Sequence, residues 1–161
     1  FKKVLETSFQ NAAQMMGLKT VSGVDSAVVF QSMPPFKDAV QALSRLRDGY
    51  ALAILTNSGE EMLRMVLPQL RVSFDLVLSA ERLKSFKPSE RNYSKVLESL
   101  ALPINEVFYV SATPWDAQAA ISFGYNVCFV NRKNADTSGW LLQPKSVVHN
   151  LSELAAKVKR I

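Results

Sequence analysis

Apolar positions recur at helical spacing at the start of the chain, and no strand pattern interrupts them. The positions on one face of the first helix are Val4, Leu5, Phe9, Ala12, Ala13 and Met16. Gly17 can end this helix, and a second short helix is predicted over 22–32. Because this segment predicts helices and no strands, we expect 1–34 to be the remnant of a helical cap and 35–161 to be the core domain.

The rest of the chain alternates strand patterns with helix patterns. The almost continuous apolar run over 50–55 is typical of a parallel strand that is buried on both faces. Further strands are predicted over 74–78, 107–111, 126–130 and 147–148, and helices over 60–67, 89–100 and 115–123. A helix also opens at Pro35, and a last one follows Asn150, which can form a capping box with Glu153. These repeated units predict an α/β fold, a Rossmann-like parallel sheet with flanking helices and a partial helical cap.

Length and composition set bounds on this picture. A chain of 161 residues that is 48% hydrophobic can bury one core, and its apolar runs are too short to span a bilayer. The single cysteine, Cys128, rules out an internal disulfide and is predicted to be a buried, inert thiol, which fits a cytoplasmic protein. The net charge of +5 is scattered, so we expect neither nucleic acid nor a membrane as a partner. Phe1 is not a methionine, and we expect a processed, trimmed or partial chain.

Polar side chains follow four of the predicted strands. They belong to the segments Thr56-Asn57, Lys84-Ser85-Phe86-Lys87-Pro88, Ser111-Ala112-Thr113 with Asp116 beyond it, and Asn131-Arg132. The carboxyl ends of parallel strands share one edge of a sheet, where ligands bind. A hydroxyl, an amide, an ammonium and a carboxylate that converge there suit an anionic small-molecule substrate or a developing negative charge.

A structural role is the alternative for each of these residues. Asp116 could simply cap its helix, Lys87 could be a surface lysine, and 56–57 could form an ordinary polar turn. Tyr93 lies on the apolar stripe of its helix, and Trp115 is expected to serve packing.

At this point the chain resembles the haloacid dehalogenase superfamily, and within it the (S)-2-haloacid dehalogenases. The matching segments are Leu52-Ala53-Ile54-Leu55-Thr56-Asn57, Phe86-Lys87-Pro88 with Tyr93, Phe108 to Asp116, Phe123-Gly124-Tyr125, Val130-Asn131-Arg132 and Pro35-Phe36. They occur in the family's order over nearly the whole chain. The chemistry that the resemblance implies is covalent: an aspartate displaces halide, and water then hydrolyses the ester.

The resemblance also implies roles for individual residues. Lys87, Asp116 and Ser111 would form the catalytic set. Lys87 and Tyr93 would hold and orient the acidic centre, and Ser111 and Asp116 would support the lysine network and position a hydrolytic water. Thr56 would bind the substrate carboxylate, and Asn57 would hold the departing halide. The remaining substrate-binding residues would be Tyr93, Phe1, which aligns with a cap aromatic, and Thr113, which stands where the family usually has asparagine.

The chain departs from the family pattern at its start. The family's first motif, a strand that ends in Asp-x-x-x-Thr, is missing, as is the early cap helix with its halide-binding arginine. No other aspartate takes the nucleophile's place; those considered are Asp25, Asp38, Asp48, Asp75 and Asp136. The missing strand is central in the family's sheet. We therefore expect its gap to be filled by an N-terminal fragment, by a second copy of the chain or by a rearranged strand, because unpaired strand edges are unfavourable.

Several functions stay open on the sequence alone. The main interpretation is that the chain is a haloacid-dehalogenase-like hydrolase that lacks its N-terminal portion. We do not expect this chain alone to show the family's activity. A nucleophile-less enzyme repurposed for isomerisation or cyclisation, and a non-catalytic binding protein, are the alternatives. A magnesium-dependent phosphatase of the superfamily would need a second acid beside Asp116. We expect no cofactor and no metal, and a surface or capping role for His149.

Overall fold

The first helix of the computed structural model is α1, Lys2–Met15. The structure describes residues 2–18, 29 and 32–158. The helix ends as predicted, since Gly17 adopts a φ of +67°, which a glycine reaches without strain. The apolar stripe on α1 is exposed rather than buried, with Val4, Phe9 and Met16 all more than half accessible. Phe1 and most of the helix predicted over 22–32 lie outside the described residues, and the cap assignment stays a prediction.

Strands and helices then alternate as the apolar pattern predicted. The elements are α2 (Ala39–Arg47), β1 (Ala53–Thr56), α3 (Glu60–Val66), β2 (Leu76–Ser79), α4 (Ala80–Leu83), α5 (Glu90–Leu100), β3 (Phe108–Ser111), α6 (Pro114–Phe123), β4 (Asn126–Val130), β5 (Ser146–Val148) and α7 (Leu151–Val158). Short 3-10 turns, Leu67–Leu70 and Ile104–Glu106, follow α3 and precede β3. The α/β fold class is therefore confirmed.

The strands form two parallel sheets, so the prediction of one continuous sheet is wrong for the described residues. β1 pairs with β2, with Thr56 opposite Ser79. β3 pairs with β4, and β4 with β5, with Ser111 opposite Phe129. Within the described part of the chain, nothing pairs with the other edge of β1 or of β3, so the expected filling of the gap is not observed there. The expectation that β1 is buried on both faces is also wrong, because Ala53 is exposed and the other three residues are half-buried.

Side chains connect the two sheets where backbone pairing does not. Leu55 of β1 packs against an aromatic cluster that includes Tyr93, Tyr109 and Tyr125. The same Leu55 packs against the cluster formed by residues of β2, α4 and α5, among them Leu78. Because one apolar side chain belongs to both clusters, the position of β1 relative to β3 depends on packing rather than on a hydrogen-bonded ladder.

A third cluster lies on the far side of β4 and contains Cys128, which is completely buried, as predicted. Burial raises the pKa of this thiol, in keeping with an inert role. The helix next to it, α7, begins at the predicted capping box, in which the Glu153 N–H donates to Asn150 Oδ1 at 2.9 Å. The reciprocal bond comes from the His149 N–H to Glu153 Oε2, also at 2.9 Å.

Candidate active site

Lys87 reaches the site from the loop between α4 and α5, and Asn57 holds its backbone in place. The Lys87 N–H donates to Asn57 Oδ1 at 2.7 Å, and Asn57 Nδ2 donates to the Lys87 carbonyl at 3.1 Å. Asn57 directly follows β1. The amide therefore links the end of β1 to the lysine loop, and it uses both ends of its side chain to do so.

Asp116 lies in the first turn of α6, which Pro114 opens, and its side chain is 6% exposed. The ammonium of Lys87 lies 3.0 Å from Asp116 Oδ2, and Ser111 Oγ donates to the same oxygen at 2.9 Å. The other oxygen, Oδ1, accepts from the hydroxyls of Tyr93 and Tyr109, each at 3.0 Å. Four donors from β3, α5 and the lysine loop thus surround one carboxylate.

These contacts make Lys87 and Asp116 a buried ion pair in which the carboxylate is fully hydrogen-bonded. The Lys87 side chain is only 11% exposed, so water screens the two charges poorly. An ionised carboxylate offers about four acceptor positions, and the four donors occupy them. Asp116 is therefore arranged to hold the Lys87 ammonium in place.

The two tyrosines that donate to Asp116 remain protonated at neutral pH. Burial, together with the negative charge of Asp116, holds the pKa of Tyr93 and of Tyr109 above the ordinary tyrosine value. Burial raises the pKa of Tyr125, which completes this aromatic cluster, to about 12. Protonated phenols are obligatory donors to a carboxylate, so the network keeps one hydrogen-bond direction across the physiological range.

Hydroxyl side chains are found where β1 ends and just beyond the end of β3. Thr56 Oγ1, at the end of β1, accepts from the Ser58 N–H at 3.1 Å and donates to Ser58 Oγ at 3.1 Å. On the side of β3, the Thr113 N–H donates to Ser111 Oγ at 3.2 Å, and Thr113 itself is exposed. The roles of these residues in substrate binding stay predictions.

Trp115, which was expected to serve packing, is half exposed. Its ring centroid lies 6.0 Å from Lys87 Nζ. The ring therefore lies next to the Lys87 ammonium.

Two other predicted groups contact neither Lys87 nor Asp116. Arg132, which follows β4, instead forms a two-point ion pair with Asp38, at 3.0 and 2.8 Å. Asn131 exchanges hydrogen bonds with the backbone of Ala135, at 2.8 Å in each direction. The end of β4 therefore serves the structure of the core rather than this network.

Tyr109 is the site residue that sequence reasoning missed. Its hydroxyl contacts both oxygens of Asp116 and also lies 3.3 Å from Lys87 Nζ. The signal was present in the sequence: Tyr109 and Ser111 are two positions apart on one strand, so they must share a face. Both side chains meet Asp116 from that face.

No group of three or more metal-binding side chains is found among the described residues. His149 is exposed and lies next to Glu153, in agreement with the surface and capping role expected for it. None of the helices in the described ranges combines the length and the apolar composition that crossing a bilayer requires.

Comparison with known proteins connects this geometry with a family. Residues 2–130 match the sequence model of the family described as haloacid dehalogenase-like hydrolase. An (S)-2-haloacid dehalogenase of Pseudomonas putida is 29% identical over 160 residues, which cover 96% of this chain and 70% of that protein.

Two solved structures extend the likeness to three dimensions. The crystal structure of a dehalogenase is 30% identical, covers 96% of this chain and 71% of its own, and superposes with a TM-score of 0.88. An L-2-haloacid dehalogenase from Xanthobacter autotrophicus, with chloropropionic acid covalently bound, is 25% identical with a TM-score of 0.82, covering 98% of this chain and 75% of its own.

Proposed function

We propose that this chain, which belongs to the haloacid dehalogenase-like hydrolase family, carries the lysine-containing part of an active site. The complete site hydrolyses the carbon–halogen bond of a small 2-haloacid. The observation that carries the proposal is the buried ion pair of Lys87 and Asp116 at the carboxyl edge of β3. A fixed ammonium at this edge can orient a carboxylate nucleophile and stabilise negative charge in the reaction. The similarity to (S)-2-haloacid dehalogenases supports this choice of substrate class.

The nucleophile in this proposal is an aspartate on a strand that lies between β1 and β3. Both facing edges are unpaired within the described residues, and the side chains that follow these strands, Asn57 and Ser111, lead to Lys87 and Asp116. An N-terminal fragment would supply this strand, because a second copy of the chain carries the same aspartates, none of which takes the nucleophile's place. Asp116 does not serve as the nucleophile, because its oxygens are already occupied by four donors.

The reaction then proceeds in two balanced steps. The aspartate oxygen bonds to the substrate carbon that carries the halogen, and halide leaves with the bonding electron pair. Water next adds to the ester carbonyl, and the bond between that carbonyl carbon and the substrate oxygen breaks. One proton of the water passes to the oxygen of the departing 2-hydroxy acid, the other is released to solvent, and the aspartate carboxylate is restored. In this scheme Lys87 holds the nucleophile, Thr56 binds the substrate carboxylate and Asn57 lies beside the departing halide. The network needs no metal for these steps.

Halide release from racemic 2-chloropropionate tests the proposal. We expect the purified 161-residue chain alone to release none, because it lacks the aspartate that forms the ester. In an active form that contains the missing strand, Lys87→Ala or Asp116→Ala should lower the rate by roughly a hundredfold or more, the scale of losing a positioned electrostatic group. Lys95→Ala is the matched control, since Lys95 is exposed on α5 and pairs only with Glu98 in the described structure. Equal rates in all three variants would refute the proposal.

A further inference from the structure

We infer that Tyr109 is a positioning residue that tethers the Lys87 ammonium to Asp116 and occupies the acceptor position that a water would need on that carboxylate. The inference deepens the proposed function and rests on it for its catalytic meaning. The contacts themselves do not depend on the reaction.

The geometry makes Tyr109 a bridge between the two charges. Its hydroxyl oxygen lies 3.3 Å from Lys87 Nζ and can accept one ammonium proton. Its own proton faces Asp116, with Oδ1 at 3.0 Å and Oδ2 at 3.2 Å. A single phenol therefore completes a closed set of three contacts, together with the direct 3.0 Å bond between Lys87 and Asp116. These three mutual contacts restrict the position of the ammonium more than a single ion pair would.

The Tyr109 hydroxyl also determines whether the Asp116 carboxylate has an acceptor position left for a water molecule. Tyr93, Ser111 and Lys87 supply three donors, which leaves one acceptor position on a carboxylate that has about four. Tyr109 fills that position from the buried side of β3, where it is 9% exposed. Its raised pKa, caused by burial and by the charge of Asp116, keeps it a donor at neutral pH. In this arrangement Tyr109, rather than a water, occupies the fourth acceptor position of Asp116.

Tyr125 provides a matched control within the same aromatic cluster. Its ring centroid lies 5.3 Å from that of Tyr109, and its hydroxyl is also buried. That hydroxyl, however, donates to the Tyr93 carbonyl at 2.8 Å rather than to Asp116. Tyr125→Phe thus removes one buried hydroxyl without removing a contact to either member of the ion pair.

The test measures how fast Lys87 reacts with an amine-acylating reagent in the folded 161-residue chain, by peptide mass spectrometry at fixed pH. We expect Lys87 to be labelled roughly threefold to tenfold faster in Tyr109→Phe than in the wild type, because the ammonium loses one of its two hydrogen-bond partners in the described structure. Tyr125→Phe and the exposed Lys95 should keep their wild-type labelling rates. Should Tyr109→Phe fail to fold, 4-fluorophenylalanine at position 109 fills the hydroxyl's volume without donating and takes its place.

The outcomes separate this inference from the proposed function. Equal labelling of Lys87 in Tyr109→Phe and wild type overturns the tether, as does an equal increase in both tyrosine variants, which would mean general loosening of the cluster. Neither result bears on halide release, because the labelling experiment uses no substrate. In a form that releases halide, the tether further predicts that Tyr109→Phe lowers kcat more than it changes KM, since Tyr109 acts through Lys87. An unchanged kcat would also overturn it.

Discussion

Removing the charge of Asp116 should destabilise the protein more than any comparable change on the surface. In Asp116→Asn, an NH₂ group replaces one carboxylate oxygen and meets two donors, whichever oxygen it replaces: Lys87 and Ser111 at Oδ2, or Tyr93 and Tyr109 at Oδ1. The Lys87 ammonium, 11% exposed, loses its counter-charge. Breaking a buried pair by removing one partner costs about 3–5 kcal/mol.

Lys87→Met should cost less, because three hydroxyl donors still satisfy the Asp116 carboxylate. We expect a loss of about 1–3 kcal/mol, the range for one buried group that loses a charged partner. The double variant should be destabilised by less than the sum of the single variants, since the second change no longer strands a charge.

Urea unfolding followed by circular dichroism measures these free energies. Asp136→Asn is the control for the aspartate, because Asp136 lies exposed in a loop. Lys95→Met is the control for the lysine. If Asp116→Asn unfolds within about 0.5 kcal/mol of the wild type, as a surface substitution does, the buried network does not exist as described.

Two further predictions concern the core. Asp38→Asn should destabilise the protein by about 1–3 kcal/mol, because Asp38 accepts from Arg132 and from the Leu151 N–H at the start of α7. Those bonds, above all the one to Arg132, hold the pKa of Asp38 in the folded protein below its ordinary value of 3.8. The stabilisation that Asp38 contributes should therefore be complete above pH 3.8 and be lost as the pH falls through the lower pKa of the folded state. Urea unfolding at several pH values checks this, and a difference between variant and wild type that grows in acid would contradict it. Gly124→Ala should cost about 1–2 kcal/mol, since Gly124 has a φ of +107° and an added Cβ would meet Ile104 at 3.4 Å; an unchanged thermal midpoint would refute this reasoning.

The sequence predicted the order of strands and helices well, because the core elements have strong periodic patterns. The helix 115–123 and its end at Gly124 agree with α6 almost residue for residue. The sequence also indicated that Lys87 and Asp116 follow strands whose carboxyl ends share one edge, and the structure brings the two side chains together. Local pattern and parallel topology were sufficient for that much.

What failed depends on contacts that local pattern does not encode. The division into two sheets reflects which strand edges find partners, and an apolar run such as 50–55 looks the same with or without a neighbour. Tyr109 was missed because a tyrosine within an apolar strand is normally predicted to be a core residue. In the structure its hydroxyl also donates to Asp116.

Halide release by the protein in the form its host produces tests the central claim most directly. We predict that this form converts a 2-haloacid into the 2-hydroxy acid with one halide released per turnover, that Lys87→Ala lowers the rate by roughly a hundredfold, and that the 161-residue chain by itself releases no halide. Turnover by the purified 161-residue chain alone would contradict the argument that the nucleophile must be supplied by another strand. A host-produced form that releases no halide from any 2-haloacid would contradict the assignment of this reaction to the site of Lys87 and Asp116.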